Sequence, residues 1–330
     1  MAKPLIGITM GDPAGIGPEI CAKALTAGQV RNIADCVVIG DRRCVRQGLK
    51  IAGIEGIEIN SIKKVSGAKF LPKTIDVLDL NNADPAKIKL GQVSRTAGKA
   101  AAEYLEKAIQ LAQNGEIDAI TTAPINKEAI RKAGYKFQGH TEILATRTKT
   151  KDYAMMFVSD RLWVMLVTTH IPLREVSRHL DKKKIVKIIK MAHETLSRVR
   201  EGKPKIGVAG LNPHAGEAGI FGSEEKKIIR PAVEEARKLG IDVKGPISPD
   251  AIFYLANSGM FDIVIAMYHD QGLIPLKLLS FNRSVNVTVG LPFVRTSVDH
   301  GTGFDIVGKG WANPGSLIEA IKVAAHFSRS

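Results

Sequence analysis

The sequence predicts an α/β protein built on a largely parallel β-sheet. Short apolar segments alternate with longer amphipathic segments along the whole chain, which is the order of strands and helices in α/β folds. Residues 263–267 form an unbroken apolar run, which suits a strand that is covered on both faces. Several such runs lead directly into polar turns that contain glycine or proline.

The individual elements follow from the length and periodicity of these segments. Short apolar runs predict strands at residues 5–10, 36–40, 119–122, 163–168, 206–209 and 263–267. Longer amphipathic stretches predict helices at residues 17–27, 92–113, 182–200, 224–239 and 315–327. A chain of 330 residues is long enough for one large domain or for two closely joined ones.

The composition indicates a cytoplasmic protein. Its three cysteines, an odd number without a CxxC pair, favour reduced thiols over disulfides or a zinc knuckle. The apolar run near the N-terminus is too short for a signal sequence. No stretch approaches the roughly 20 apolar residues of a membrane helix. We therefore expect no targeting segment and no membrane partner.

The net charge of +14 allows two interpretations. A nucleic-acid-binding protein would need clustered Lys and Arg with interleaved aromatic residues. Aromatic residues make up only 5% of the chain, and the densest basic run, residues 181–190, has the periodicity of a solvated helix face. An enzyme that binds an anionic substrate and an anionic dinucleotide would also be basic. We expect no nucleic-acid partner, although the charge alone does not decide.

Four of the eight histidines lie in strand-end turns or glycine-rich segments: His140, His170, His214 and His269. Ligands bind at the carboxyl ends of strands in open α/β sheets. One histidine alone is more often structural, but several in equivalent positions indicate a site for a divalent ion such as zinc or cobalt. Three protein ligands would leave coordination positions open for a substrate.

Two glycine-rich segments have different interpretations. Residues 11–19 follow a strand and open a helix, so they could bind an anion or simply form a tight turn. They lack the third glycine of the dinucleotide-binding fingerprint. Residues 303–310 resemble a phosphate-binding loop, but Gly310 stands where Ser or Thr is needed to hold magnesium. We therefore reject an ATPase or kinase.

Carboxylates and basic residues complete the candidates. Asp250 and Asp270 could each orient a ligand or move a proton, or could be a helix N-cap. Lys277, Asn286 and Arg295 lie in a run of short β-like segments, where basic groups could hold phosphate or carboxylate. Each of them taken singly could equally be a surface residue. The sequence contains no GxSxG motif that would support covalent hydrolase chemistry.

Six motifs together resemble one enzyme family, in the family's order over essentially the whole chain. They are GDPAGIGPE at residues 11–19, GHTE at 139–142, THIPL at 169–173, LNPHAGE at 211–217, YHDQG at 268–272 and LPFVRTSVDHGT at 291–302. The sequence thereby resembles the 4-hydroxythreonine-4-phosphate dehydrogenase family, often called PdxA. Its two ends are also similar to the wider isocitrate and isopropylmalate dehydrogenase superfamily.

The resemblance implies a two-domain isocitrate/isopropylmalate dehydrogenase-like α/β fold with a cleft between the domains. One domain would comprise residues 1–135 and 296–330. The other, residues 136–295, would carry most metal and substrate ligands and the dimer contacts. The enzyme would be a homodimer whose active site takes residues from both subunits.

The resemblance also implies roles for single residues. The ligands of a zinc, magnesium or cobalt ion would be His170, His214 and His269, the last donated across the dimer. The substrate would be bound by His140, Thr141, Lys277, Asn286 and Arg295. NAD or NADP would be bound by Gly11, Gly15, His300, Gly301, Asp305 and Asn313. The proton acceptor would be Asp250 or Asp270.

The implied reaction is the oxidative decarboxylation of 4-phosphohydroxy-L-threonine to 3-amino-2-oxopropyl phosphate in pyridoxal phosphate biosynthesis. The metal would lower the pKa of the C3 hydroxyl, and a carboxylate would take its proton as hydride leaves for the nicotinamide. A paralogous group converts D-threonate or D-erythronate 4-phosphate to dihydroxyacetone phosphate, and residues 152–155 and 274–279 resemble that group. A metal-dependent isomerase or hydrolase without a dinucleotide is a further alternative.

Overall fold

The computed structural model describes residues 2–137, 139–281 and 283–329, and these form two compact units. The first unit contains the described residues up to 151 and from 291 to 329, and the second contains residues 152–290. Each unit has its own apolar core. Among the described residues, no helix has both the length and the apolar character that crossing a membrane requires.

Strands and helices are interspersed along the described chain. The strands are β1 (Leu5–Thr9), β2 (Asp35–Gly40), β3 (Glu58–Ile62), β4 (Thr74–Asp79), β5 (Ala119–Thr122), β6 (Ala154–Val158), β7 (Trp163–Leu166), β8 (Ile206–Ala209), β9 (Val243–Ile247), β10 (Ile263–Ala266), β11 (Val285–Val289) and β12 (Val294–Ser297). The α-helices are α1 (Gly17–Thr26), α2 (Gly28–Arg31), α3 (Arg42–Ile51), α4 (Arg95–Gln113), α5 (Lys127–Lys132), α6 (His140–Arg147), α7 (Val176–His179), α8 (Lys182–Val199), α9 (Arg230–Lys238), α10 (Pro249–Asn257), α11 (His269–Ser280) and α12 (Gly315–Ser328).

In the first unit the strand order is β3-β4-β2-β1-β5-β12, and every described pairing among these strands is parallel. The register places Thr9 beside Thr122 and Thr122 beside Ser297, so three hydroxyl residues meet at the carboxyl ends of neighbouring strands. All six residues of β4 and all four of β5 are buried, as expected for strands covered on both faces. Helices α4 and α12 both pack on β1 and β5.

In the second unit the strand order is β11-β6-β7-β10-β8-β9. Strand β6 is antiparallel to β11 and β7, and the other described pairings are parallel. Buried apolar residues of β7 and β10 form the core with Leu273 and Leu276 of α11. The parallel order β7-β10-β8 means that the carboxyl ends of these three strands lie next to one another, and this determines where the candidate site forms.

The predicted mixed α/β class is confirmed, and each predicted strand and helix corresponds to an observed element, with ends shifted by at most three residues. The helix predicted at residues 224–239 corresponds to a π-helical turn, Glu225–Ile229, followed directly by α9. Strands β3, β4, β6 and β9 were not predicted; polar residues interrupt β3, β4 and β9, whereas β6 is apolar throughout. The β-like assignment around Asn286 and Arg295 agrees with β11 and β12. The β-like assignment around Lys277 is wrong, because Lys277 lies within α11. Pro275 lies inside that helix, and the local sequence lacks a clear helical period.

Candidate active site

Two of the predicted metal ligands come together in the second unit. His170 follows β7, and His269 begins α11 directly after β10. Because β7 and β10 are paired, the two imidazole rings lie with their centroids 5.5 Å apart at an interplanar angle of 44°. The Thr168 hydroxyl donates to the Met267 carbonyl oxygen at 2.7 Å and joins the two turns behind the rings.

The imidazole of His269 is oriented by its neighbour in the chain. Nδ1 of His269 lies 2.7 Å from Oδ1 of Asp270. When Nδ1 carries the proton and donates it to this carboxylate, Nε2 is left with a lone pair for a metal. Asp270 lies in the first turn of α11, whose N-cap residue is Tyr268, so the N-cap interpretation of Asp270 is wrong.

Gln271 connects this turn to the end of β8. Its side-chain oxygen accepts from the Met267 backbone N–H at 2.6 Å, and its amide donates to the Gly210 carbonyl oxygen at 2.7 Å. Gln271 is buried, so both bonds are shielded from water. Sequence reasoning missed this residue, although it lies inside one of the six motifs.

His214 is exposed on the turn that follows β8, and the backbone of that turn is unusual. The five residues 214–218 all have positive φ values, and only Gly216 among them is a glycine. The left-handed conformation costs roughly 1–2 kcal/mol for each non-glycine residue. Strain of this kind persists where the surrounding structure enforces it, and it concentrates at functional sites.

Asp250 is exposed and lies in the first turn of α10, whose N-cap residue is Ser248, so the N-cap interpretation is wrong here too. A hydrogen bond from the Ser248 hydroxyl is the main cause that lowers the pKa of Asp250, and the charge of His214 lowers that pKa further. Asp250 is therefore ionised at neutral pH.

The set of side chains suits a borderline divalent ion, because imidazole is a preferred ligand of zinc and cobalt. Three adjacent strand ends each carry one histidine, and an oriented imidazole is already present at His269. However, no group of three His, Cys, Asp or Glu within the described part of this chain is close enough to hold an ion by itself. Metal binding by these histidines therefore stays a prediction.

Lys277 and Asn286 occupy different elements of the second unit. The Lys277 ammonium lies 5.7 Å from the centroid of the Phe281 ring, one turn further along the chain. Asn286 lies on β11, half-buried, and its side-chain oxygen is buried without a hydrogen-bond partner. A buried amide oxygen of this kind is satisfied only when a ligand or water donates to it.

In the first unit, two predicted substrate-binding residues, Arg295 and His140, influence each other electrostatically. Arg295 on β12 is buried and donates to the Thr122 hydroxyl at 2.8 Å. Burial lowers the pKa of Arg295 to about 9, which leaves it charged at neutral pH. Burial and the Arg295 charge together lower the pKa of His140 well below its usual value, and Nε2 of His140 is buried without a partner. His140 and Thr141 begin α6.

Packing within the protein requires glycine at both predicted cofactor residues of the glycine-rich loop. Gly11 has φ +76°, and a Cβ there would lie 2.3 Å from the Pro124 carbonyl oxygen. A Cβ at Gly15 would lie 2.8 Å from the Thr302 carbonyl oxygen, which also accepts from the Ile16 N–H at 2.9 Å. The loop thus packs directly against the segment that follows β12.

Two residues of helix α1, Glu19 and Lys23, form hydrogen bonds with a later part of that segment. Sequence reasoning missed this pair. Lys23 donates to the carbonyl oxygens of Gly310 and Ala312 at 2.8 and 2.9 Å, and to buried Glu19 at 2.7 Å. Glu19 in turn accepts from the Ala312 N–H at 2.9 Å. The i, i+4 spacing of these two residues is the sequence signal that could have found the pair.

The other predicted cofactor residues lie along this segment and are largely exposed. Nδ1 of His300 lies 3.0 Å from the Gly301 carbonyl oxygen, and Asn313 accepts from the Gly315 N–H at 2.8 Å. Asp305 is exposed, and its carbonyl oxygen accepts from Lys309 at 2.8 Å. The structure brings the glycine-rich loop and this segment together, while the binding of a dinucleotide stays a prediction.

Fold and site define an α/β protein with imidazole and carboxylate groups in turns after its strands and with a buried guanidinium on β12. Residues 32–324 match the family described as pyridoxal phosphate biosynthetic protein PdxA. The chain belongs to this family, as its six motifs predicted.

Relatives with two different names are equally similar. A 4-hydroxythreonine-4-phosphate dehydrogenase from Desulforapulum autotrophicum is 48% identical, over 98% of this chain and 95% of its own length. A D-threonate 4-phosphate dehydrogenase from Pectobacterium atrosepticum is also 48% identical, over 98% of this chain and 99% of its own. The crystal structure of a 4-hydroxythreonine-4-phosphate dehydrogenase from Klebsiella pneumoniae has a TM-score of 0.92 at 45% identity, with 99% of both chains covered.

Proposed function

We propose that this protein is a cytoplasmic, metal-dependent dehydrogenase that uses NAD or NADP to decarboxylate a 4-phosphorylated hydroxy acid oxidatively. One observation carries the proposal: the neighbouring strands β7, β10 and β8 each lead into a turn that presents a histidine. The names of the relatives support dehydrogenase chemistry. We also assign the fold to the isocitrate/isopropylmalate dehydrogenase-like class.

His170, His214 and His269 would hold a zinc, magnesium or cobalt ion, which when bound lowers the pKa of the substrate hydroxyl. Because Asp270 is already engaged with His269, we assign it to orienting that imidazole. Asp250 is exposed, is ionised at neutral pH and is influenced by the charge of His214. We therefore favour Asp250 as the group that takes the proton from the substrate.

Buried groups would hold the anionic parts of the substrate. Arg295 is a desolvated cation, and an anion that reaches it gains more than it would at an exposed arginine. His140 Nε2 and Asn286 Oδ1 are buried without partners, so both can bond a ligand without breaking an existing bond. Thr141 and Lys277 would complete the set.

The nicotinamide dinucleotide would bind along the glycine-rich loop and the segment after β12. The proposed residues are Gly11, Gly15, His300, Gly301, Asp305 and Asn313. The support is that Gly15 and Ile16 contact Thr302 directly, and that the Glu19–Lys23 pair fixes the later part of the segment. A fixed backbone is needed to orient a cofactor.

We further propose that the protein is a homodimer joined through α11. Ile274, Leu278 and Phe281 form one stripe on this helix, at 67%, 85% and 71% exposure. Contiguous exposed apolar groups of this size mark interaction surfaces. The same helix begins at His269, so a second copy seated on the stripe would approach that histidine. Among the described residues of one chain no three possible ligands lie together, and a second copy would supply a further one.

We name 4-phosphohydroxy-L-threonine as the first candidate substrate. D-threonate 4-phosphate and its erythronate isomer form the second candidate, which is favoured by a relative of equal identity. The two kinds of substrate differ mainly in an amino or a hydroxyl group at C2. Neither candidate changes the roles assigned to the histidines and the basic groups.

The test is a turnover assay that follows formation of the reduced nicotinamide with each of the three substrates. NAD and NADP are compared, after chelation and then after addition of zinc, magnesium or cobalt. Turnover that depends on metal and dinucleotide supports the proposal, and the substrate turned over decides between the two candidates. His214→Ala should abolish turnover, while the matched control His179→Ala, an exposed histidine in the same unit, should not. Absence of turnover with all three substrates would reject the proposed class of substrate.

A further inference from the structure

The turn that carries His214 has a backbone conformation that its own residue types disfavour. His214, Ala215, Glu217 and Ala218 all have φ between +38° and +57°. None of these residue types prefers the left-handed region, so local sequence alone would not hold this conformation. Contacts from elsewhere in the second unit must hold it.

The carboxylate of Glu225 supplies such contacts before His214 in the chain. Its Oε1 accepts from the backbone N–H of Leu211 at 2.8 Å and from that of Asn212 at 2.7 Å. Its Oε2 accepts from the Asn212 side-chain amide at 3.0 Å. Glu225 is only 2% exposed, so these three bonds are shielded from water and strengthened by burial.

The same carboxylate also contacts the turn after His214. A Cβ on Gly216 would lie 2.6 Å from Oε2 of Glu225, which shows how closely the backbone passes over this group. Gly216 is buried and has φ +79°. One side chain therefore contacts the chain both two residues before His214 and two residues after it.

A second carboxylate extends this network. Oε2 of Glu224 accepts from the Asn212 amide at 2.9 Å, and Oε1 of Glu224 accepts from the Ser177 hydroxyl at 2.6 Å. Ser177 lies on α7, a few residues after His170 in the chain. Glu225 itself opens a π-helical turn, Glu225–Ile229, and such turns are frequent at functional sites.

We propose that Glu225 is the positioning residue of His214: it holds the left-handed turn in place and so preorganises this imidazole toward a divalent cation. The metal part of this inference rests on the proposed function, whereas the holding of the turn does not. Glu225 acts through the backbone and through Asn212.

A graded pair of substitutions tests the proposal on the full-length protein. Glu225→Gln keeps one oxygen for the two backbone donors but turns an N–H₂ group toward the Asn212 amide, so it loses one of the three bonds. Glu225→Ala loses all three. The matched control is Glu235→Gln on α9, whose carboxylate makes an exposed ion pair with Lys182 at 2.6 Å.

Two readouts are used, and the first needs no metal. Hydrogen exchange of the metal-free protein should be faster at residues 211–218 in Glu225→Gln and faster still in Glu225→Ala, with other segments unchanged. Titration with Co²⁺ alone should give a Kd about tenfold weaker for Gln and about a hundredfold weaker for Ala. The control should match the wild type in both, and the KM for the dinucleotide should not change in any variant.

Unchanged exchange at residues 211–218 in both variants would overturn the proposal. So would faster exchange throughout the second unit, because that would show only a general loss of stability. If the wild-type protein binds no Co²⁺ while the exchange gradient is still present, the metal function fails, and Glu225 remains the residue that holds the turn.

Discussion

Nδ1 of His269 lies 2.7 Å from Oδ1 of Asp270, the next residue in the chain. Both residues are in the first turn of α11, and the turn that carries them is tied to the end of β8 through Gln271. A carboxylate in this position fixes which ring nitrogen carries the proton and makes the other a better ligand. Asp270 has two possible roles, which are to orient the His269 imidazole and to accept a proton from the substrate. The contact favours the first of them.

Asp270→Asn keeps the size of the side chain but removes its charge from the His269 imidazole. We expect the Kd for Co²⁺ to weaken about ten- to a hundredfold, with kcat/KM falling in parallel. Asp250→Asn is the comparison, because it should lower kcat while leaving the Co²⁺ Kd within about twofold. The measurement is Co²⁺ titration together with steady-state kinetics. An Asp270→Asn variant with wild-type affinity for Co²⁺ but no turnover would instead assign Asp270 as the proton acceptor.

The sequence predicted the α/β class and most of the strands that are continuously apolar, because burial on both faces leaves a clear pattern. Strands such as β3 and β9 were not predicted because polar residues, among them Asn60 and Lys244, interrupt their apolar runs. Predicted strand ends also pointed to His170 and His269, whose rings the structure places 5.5 Å apart. Their role as metal ligands stays a prediction.

What the sequence could not show is held by tertiary contacts. The left-handed turn at His214 has a conformation that its residue types disfavour, so no sequence pattern predicts it. Glu225 lies eleven positions further along, in a helical stretch where a glutamate is usually exposed. Only the fold brings this carboxylate under the turn.

The burial of His140 predicts a pH dependence of stability. Its pKa in the folded protein is well below the ordinary value of 6.5, because burial and Arg295 disfavour the charged form. As pH falls below about 6.5, the unfolded chain takes up a proton that the folded protein does not, so stability decreases by up to about 1.4 kcal/mol per pH unit. Above that pH both forms are neutral and the contribution vanishes.

His140→Gln should flatten this dependence. The measurement is the free energy of urea unfolding at several pH values below about 7. The control is His300→Gln, which removes an exposed histidine of the same unit and should leave the slope close to that of the wild type. Equal slopes for wild type and His140→Gln would show that the folded protein protonates this imidazole as readily as the unfolded chain does.

Asp12 in the glycine-rich loop predicts a loss of stability as pH rises, whereas His140 predicts a loss as pH falls. Burial raises the pKa of Asp12 from 3.8 to about 6, and its Oδ2 is buried without a hydrogen-bond partner. A raised acid pKa stabilises the fold at pH values below about 4, and this stabilisation is lost as pH rises through about 6. The shift corresponds to roughly 3 kcal/mol of destabilisation by the charged form at neutral pH.

Asp12→Asn should therefore stabilise the protein at about pH 8 by up to roughly 3 kcal/mol, and this gain should disappear toward about pH 4. Its amide oxygen can still accept from the Ala14 N–H, as Oδ1 of Asp12 does at 2.8 Å. Urea unfolding at both pH values measures the effect, with exposed Glu55→Gln as the control. A variant that is less stable than the wild type at the higher pH would mean that the charged carboxylate has a partner, such as a bound cation or water.

The exposed stripe on α11 leads to the last prediction. Leu278 is its most exposed member, at 85%, and a carboxylate in its place would have to be desolvated in any contact that covers the helix. Leu278→Asp should therefore shift the mass measured by light scattering from two chains to one, which is 35.6 kDa. Leu239→Asp is the matched control, because Leu239 is also an exposed leucine of the second unit, directly after α9, and its replacement should leave the dimer intact. A wild-type protein that elutes as a single chain would reject the dimer. If the partner subunit completes the metal site, the dissociated Leu278→Asp variant should also lose its affinity for Co²⁺, while the control should keep it.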